Sequence, residues 1–221
     1  MSELLENLAT CIERGKVNES SPYPPDMKGQ PGADELCKKA IDDGLKPADI
    51  LGEGLIKGMN SIGKKFSKNE VFVPDVLMAA KAMSAAMEHL RPFFDSGEAT
   101  YKGTFVVGTV QGDLHDIGKN LVAMVMEGGG YKVVDLGVDV SADKFLAAVK
   151  ENPGATVGLS ALLTTTMVNM EKTVELVKAE VPDTKIIVGG APLTQEFADK
   201  IGADAYAPDP QGALDYLGSL A

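Results

Sequence analysis

Apolar positions recur at helical spacing through residues 1–95, and beyond them the pattern changes to short apolar runs alternating with helical stretches. Near the start, Leu4, Leu5, Leu8 and Ile12 share one helix face, interleaved with Glu3, Glu6 and Glu13. Val17–Gly32 is rich in Ser, Pro and Gly, including Pro22–Tyr23–Pro24–Pro25, and is expected to lack regular structure. Helices are predicted over Ala33–Asp43, Lys46–Lys65 and Val73–Phe94, with Pro47 and Pro74 in first turns, where proline is tolerated. The last carries many small or flexible residues, among them Ala79, Ala82, Met83, Ala86 and Met87. Four such helices predict a small antiparallel bundle over 1–95.

Ser96–Gly103 is short and polar with glycine near each end, so it reads as a linker over 96–103 and as a mobile hinge. From 104 to 221 strand and helix alternate: Thr104–Val110 then Ile117–Glu127, Lys132–Leu136 then Ser141–Glu151, Thr156–Ser160 then Met167–Glu180, Lys185–Val188 then Thr194–Ile201, and Ala205–Ala207 then Gln211–Leu220. Five βα units predict a parallel sheet covered on both faces. The expected class is therefore α plus α/β: a four-helix bundle followed by a flavodoxin-like, Rossmann-type domain. In the flavodoxin-like order 2-1-3-4-5 a ligand crevice opens beyond strands 1 and 3. His115 follows strand 1, and Ser160, Leu162 and Thr164 follow strand 3.

Asp113–Leu114–His115–Asp116–Ile117–Gly118 is the candidate chemistry. A metal-ligating histidine usually has its second ring nitrogen held by a partner such as a carboxylate, and Asp113 is placed to be one. One histidine is too few for zinc, but it suffices as an axial ligand to a metal already held by a macrocycle. Taken singly, a loop histidine, the hydroxyl-rich Ser160–Thr166 stretch and the Gly189–Gly190 pair are each unremarkable. Together they describe a slot, with Gly189–Gly190 expected to let a bulky group press on the backbone.

Composition narrows the partners. A net charge of −11 and a pI near 4.7 argue against nucleic acid and anionic membrane surfaces, and the absence of tryptophan argues against base stacking. Cys11 and Cys37 stand in no metal or redox spacing and are expected to be reduced thiols. Nothing resembles a signal peptide or a membrane span, which gives a cytoplasmic expectation.

Asp113-x-His115-x-x-Gly118, Ser160-x-Leu162 and Gly189-Gly190, with 41 residues between the first two and 26 between the second pair, resemble the signature of base-off, histidine-on cobalamin-binding domains. The words GDLHDIGKN at Gly112–Asn120 and VVDLG at Val133–Gly137 are most similar to methionine synthase's cobalamin module and to the corrinoid proteins of methyltransferase systems. The resemblance implies that His115 binds cobalt from below, in place of the cofactor's own base. It implies a cradle of Gly112, Asp113, Leu114, His115, Asp116, Ile117 and Gly118. The nucleotide tail would lie beside Ser160, Leu162, Thr164, Gly189 and Gly190, closed by Tyr206 and Ala207. Asp113 would accept the second imidazole proton, and Thr166 would extend that relay from a position where methionine synthase has serine. Pro210 departs from the small residue the family pattern leads one to expect.

Phe66–Pro74 (FSKNEVFVP) resembles the family's cap segment, making Phe66 and Val73 the expected contacts to the methyl group. The implied function is methyl carriage: Co(I) accepts a methyl group from a donor methyltransferase, and methylcobalamin passes it to an acceptor methyltransferase, folate- or thiol-linked, with a reductive activase rescuing Co(II). The cobalamin subunit of a carbon-skeleton mutase shares the three motifs, and a cobalamin-dependent sensor shares cap and cofactor. The helical cap disfavours the first, and the absence of a spare DNA-binding segment the second. A receiver domain fails because Ser160 stands where its phosphoryl-accepting aspartate would be.

Overall fold

The structure, a computed structural model, describes residues 2–220. It divides into two compact units: the chain up to Tyr101 together with Gly128–Gly130, and Lys102–Glu127 together with the chain from Tyr131 onward.

The first unit contains α1 (Glu3–Arg14) and α2 (Ala33–Asp42). A continuous helical run follows, made of α3 (Pro47–Asp49), a π-helical stretch (Ile50–Ile56) and α4 (Lys57–Ser67), and then α5 (Val73–Asp95). α1 buries Leu5, Leu8, Ala9, Cys11 and Ile12, the face its apolar spacing predicts. Two glycines let it lie close: a Cβ at Gly54 would stand 2.7 Å from the Leu8 side chain, and one at Gly58 would stand 2.5 Å from the Ala9 carbonyl oxygen. The helix expected over Lys46–Lys65 therefore contains a π segment, in which the Lys57 N–H reaches the Gly52 carbonyl five residues back. Side-chain periodicity over two turns does not separate i→i−5 from i→i−4 bonding, so the sequence was silent on this point.

The insertion Val17–Gly32 has one short 3-10 turn, Pro25–Met27, where no regular structure was expected. Side chains tie it down. Buried Lys16 donates to the Ser21 carbonyl at 2.9 Å, and Arg14 pairs with Asp26 at 2.8 Å. The Tyr23 hydroxyl donates to Asp75 Oδ1 at 3.0 Å, while Asp75 Oδ2 accepts from the Phe72 N–H at 2.8 Å and so caps α5. Part of the expected linker also folds back. Ala99 is buried with its N–H on the Phe93 carbonyl at 3.0 Å, and the Tyr101 ring stacks on Phe94 with centroids 4.3 Å apart.

The second unit is a five-stranded sheet with every neighbouring pair parallel. Its strands are β1 (Thr104–Thr109), β2 (Lys132–Asp135), β3 (Thr156–Ser160), β4 (Ile186–Gly189) and β5 (Ala205–Tyr206), in the order β2-β1-β3-β4-β5. This is the 2-1-3-4-5 order expected from the sequence. α6 (Ile117–Gly128), α7 (Ala142–Glu151), α8 (Met167–Glu180), α9 (Gln195–Ile201) and α10 (Pro210–Gly218) follow strands 1 to 5 in turn. The register aligns Thr109 with Ser160 and Ser160 with Gly189, so three strands end in one row, and the loops beyond that row build the site. Among the described residues no helix is long and apolar enough to cross a membrane.

Two strand glycines make room for aromatic rings. A Cβ at Gly108 would lie 2.7 Å from the Phe145 ring, and one at Gly158 would lie 2.5 Å from the Phe105 ring. Both rings are fully buried and cannot swing into solvent. Gly158→Ala should therefore cost about 1–3 kcal/mol through overpacking, read as a lower urea midpoint by circular dichroism. An unchanged midpoint would mean that the Phe105 ring has space to retreat.

Candidate functional site

The site begins where β1 runs out. Gly112 turns the chain with φ at +83°, a left-handed conformation that glycine adopts without a side-chain clash. Asp113 then points inward and is fully buried, while Leu114, His115, Asp116, Ile117 and Gly118 are exposed at the surface. The Thr109 hydroxyl, buried at the end of β1, donates to the His115 carbonyl at 2.8 Å and closes the loop. The Asp116 carbonyl accepts from Asn120 N–H at 2.8 Å, which starts α6 directly after the histidine.

Every oxygen of Asp113 is occupied. Oδ1 accepts from His115 Nδ1 at 2.7 Å and from the His115 N–H at 3.1 Å. Oδ2 accepts from the Leu162 N–H at 2.7 Å, the Leu163 N–H at 3.2 Å and the Thr166 hydroxyl at 2.9 Å. Burial alone would push this carboxyl up. The donors at Leu162, His115 and Thr166 outweigh it and hold Asp113 well below the usual carboxylate range. An ionised carboxylate only accepts, so the proton in the 2.7 Å contact sits on Nδ1 of His115. In the neutral ring Nε2 then carries the free lone pair, on a side chain about half exposed. His115 is thus presented as a ligand with its tautomer fixed.

Predicted site residues separate into three groups. Asp113, His115 and Thr166 form one connected network with the backbone of Leu162 and Leu163. Ser160, Gly189, Gly190, Tyr206 and Ala207 lie at the ends of β3, β4 and β5; Ala207 is buried and the other four half-buried. Thr164 is exposed and opens the 3-10 turn Thr164–Thr166, from which only Thr166 faces inward. Phe66 and Val73 belong to the helical unit and are both half-buried; the exposed aromatic of that segment is Phe72, at 71%.

The glycine pair has a different local role from the expected one. A Cβ at Gly190 would stand 1.9 Å from the Ala161 carbonyl oxygen, and Gly190 has φ at +134°. A Cβ at Gly189 would stand 3.1 Å from the Ala207 carbonyl oxygen. The space these glycines free is filled by the protein's own backbone, so they draw the β3, β4 and β5 ends together.

Sequence reasoning missed Asp139, Thr109 and Asn169. Asp139, itself left-handed with φ at +52°, accepts from the Gly112 N–H at 2.7 Å, and its own N–H donates to the Asp113 carbonyl at 3.0 Å. Asn169 donates to the Gln111 carbonyl at 2.8 Å. A polar residue just after VVDLG was the available signal for Asp139, but its target lies 27 residues back along the chain.

Among the described residues no group of three or more His, Cys, Asp or Glu side chains could hold a metal unaided. His115 can only complete a coordination sphere that something else supplies. The half-exposed imidazole stands among exposed Leu114 (71%), Ile117 (72%), Leu162 (43%) and Leu163 (41%), an apolar surface suited to the flat face of a macrocycle. These residues fit a corrinoid with a histidine axial ligand.

Comparison with known proteins agrees. Residues 103–215 match the family model described as a B12 binding domain, and residues 30–91 match a second model of the same description. A corrinoid protein of Desulfitobacterium hafniense is 41% identical over 191 residues, covering 84% of this chain and 88% of its own. The trimethylamine corrinoid protein of Methanosarcina barkeri is 42% identical over 186 residues, covering 82% and 86%. Among solved structures, a chain of the methanol:cobalamin methyltransferase complex of Methanosarcina barkeri superposes with a TM-score of 0.81 at 29% identity, over 99% of this chain and 80% of that one.

The Asp113 network sets an acid limit. A carboxylate held low by folding adds stability that is complete above its unfolded value of about 3.9 and is lost as pH falls below that value. The stability advantage of the wild-type chain over Asp113→Asn should therefore narrow between about pH 4 and pH 2 in urea titrations. A gap that widens on acidification would contradict the assignment. Asp139→Ala should lose both the acceptor and the tolerance for positive φ, costing about 1–2 kcal/mol, whereas Asp139→Asn, which keeps both, should stay close to wild type in the same titrations.

Proposed function

The chain belongs to the corrinoid proteins of methyltransferase systems, and we propose that it carries a methyl group from a donor methyltransferase to an acceptor methyltransferase, with His115 as the side chain that would hold the cobalt. The observation that carries this reading is the 2.7 Å contact from His115 Nδ1 to the fully buried Asp113 carboxylate, which leaves Nε2 as the free donor atom. When bound, the corrinoid supplies the cobalt centre on which a methyl group is taken up and given up.

Each residue of the chain has a part in this. Asp113 holds the proton on Nδ1 and orients the ring, which leaves Nε2 free to bind a metal. Thr166 and the Leu162 and Leu163 N–H groups keep that carboxylate ionised, so it would remain the acceptor that fixes the ring. Leu114, Ile117, Leu162 and Leu163 exclude water from the lower face. Ser160, Tyr206 and Ala207 would line the nucleotide tail, with Gly189 and Gly190 drawing those strand ends together. Relatives named for trimethylamine and dimethylamine, together with the methanol complex, suggest a small methylated donor delivered by a dedicated methyltransferase. An activase that returns oxidised cofactor to the reactive state completes the set of partners.

His115→Ala should fold, because the side chain is about half exposed and four of the five donors to Asp113 remain. Loaded with cob(II)alamin, the variant should lose the histidine nitrogen splitting seen by electron paramagnetic resonance in the wild-type protein, and methyl transfer from the cognate donor enzyme should fall by at least about tenfold. An identical nitrogen splitting in both proteins would remove His115 from the metal.

A further inference from the structure

Lys119 is a buried cation that nothing described so far uses. The residue is 3% exposed, and its ammonium donates to Asp135 Oδ2 and, at 2.6 Å, to Asn120 Oδ1. Taking an ammonium out of water costs free energy that an ion pair rarely repays in full, and an apolar side chain of similar volume often serves stability as well. What the pair adds is direction. Asp135 ends β2 with its side chain 41% exposed, so water reaches the carboxylate but not the ammonium.

Asp135 also opens a turn that holds the histidine loop at three points. Its Oδ1 accepts from the Gly137 N–H at 2.8 Å, and Gly137 is left-handed with φ at +87°. At the entry to the loop, Asp139 accepts from the Gly112 N–H and donates its own N–H to the Asp113 carbonyl. In the middle, the Gly137 carbonyl accepts from the Thr109 N–H at 3.0 Å, and the Thr109 hydroxyl holds the His115 carbonyl. At the exit, Asp135 holds Lys119, beside Asn120, whose N–H bonds the Asp116 carbonyl at 2.8 Å. The Asp113 network fixes the ring within the loop. The turn Asp135–Asp139 fixes the loop against the sheet.

We propose that Lys119 and Asp135 are positioning residues for His115: their ion pair pins the exit of the loop, so that Nε2 is held where an axial ligand has to stand. The proposal rests on the corrinoid reading given above and adds two residues that act on the imidazole only through the backbone. Without the pair, the Asp135 carboxylate turns to water and the start of α6 loses its tie to β2. The contact between His115 and Asp113 is local to the loop and persists. The ring then keeps its tautomer and loses its place.

The test uses the full-length chain and two variants. Lys119→Met keeps a straight side chain and loses the charge, and Asp135→Asn turns one of the two accepting oxygens into a donor group. In the cofactor-free protein, amide hydrogen exchange is read at Asn120 and at Val157, whose N–H bonds the Lys185 carbonyl within the sheet. Exchange at Asn120 should quicken at least about tenfold more than at Val157 in both variants. In protein loaded with cob(II)alamin, the ratio of cobalt with histidine nitrogen splitting to cobalt without it should fall by at least about tenfold. Equal quickening at Asn120 and Val157 means a general loss of stability and overturns the proposal. A response to one variant alone overturns it too, because the pair is then not the cause. Nitrogen splitting that both variants keep undiminished overturns the proposal alone, whereas a wild-type protein without the splitting overturns the histidine-ligand reading along with it.

Discussion

The buried carboxylate of Asp113 is the interaction on which the site depends. Placing an ion out of water is costly, and it persists only when every lone pair is engaged. Here five donors converge on one side chain: two from His115, two backbone N–H groups from the turn after β3, and the Thr166 hydroxyl. The same bonds that make the charge tolerable also join the loop after β1 to the loop after β3. Ligand geometry and local folding are consequently one property.

That arrangement suits a side chain that must present one particular nitrogen. A neutral histidine on the surface would sample both tautomers and many ring orientations, and would spend part of its time presenting the wrong nitrogen. The fixed Nδ1 proton removes that loss without rigid enclosure, since the imidazole remains about half exposed. The ionised carboxylate only accepts, so it keeps that proton on Nδ1 and the lone pair on Nε2.

Backbone proximity supplies the second support. Because Thr109, Ser160 and Gly189 lie in one row of the sheet, the turns that follow them start at the same level. Gly190 gives its side-chain space to the Ala161 carbonyl, and Gly189 lies against Ala207, which narrows the end of the sheet to backbone dimensions. Asp139 braces Gly112 and Asp113 from the loop beyond β2, so the histidine loop is held from both of its flanks.

Much of this was legible in the chain. Periodicity in apolar positions is a local property, so the helical first part and the five βα units followed from it, and the size of that second part suited a flavodoxin-like order. The Asp113–His115 pair was equally readable, because a two-residue offset in a tight loop brings the groups within reach whatever surrounds them. What the tertiary structure decided depends on strand register and on contacts between residues far apart in sequence. Asp113 Oδ2 finds its donors 49 to 53 residues away, and nothing local marks Leu162 or Leu163 N–H as partners. The glycine pair looked like room for a ligand, and only packing showed Ala161 filling the space at Gly190. The π segment at Ile50–Ile56 belongs to the same class. Hydrogen-bond ring size and buried-atom satisfaction are set by neighbours in space, which a linear pattern does not encode.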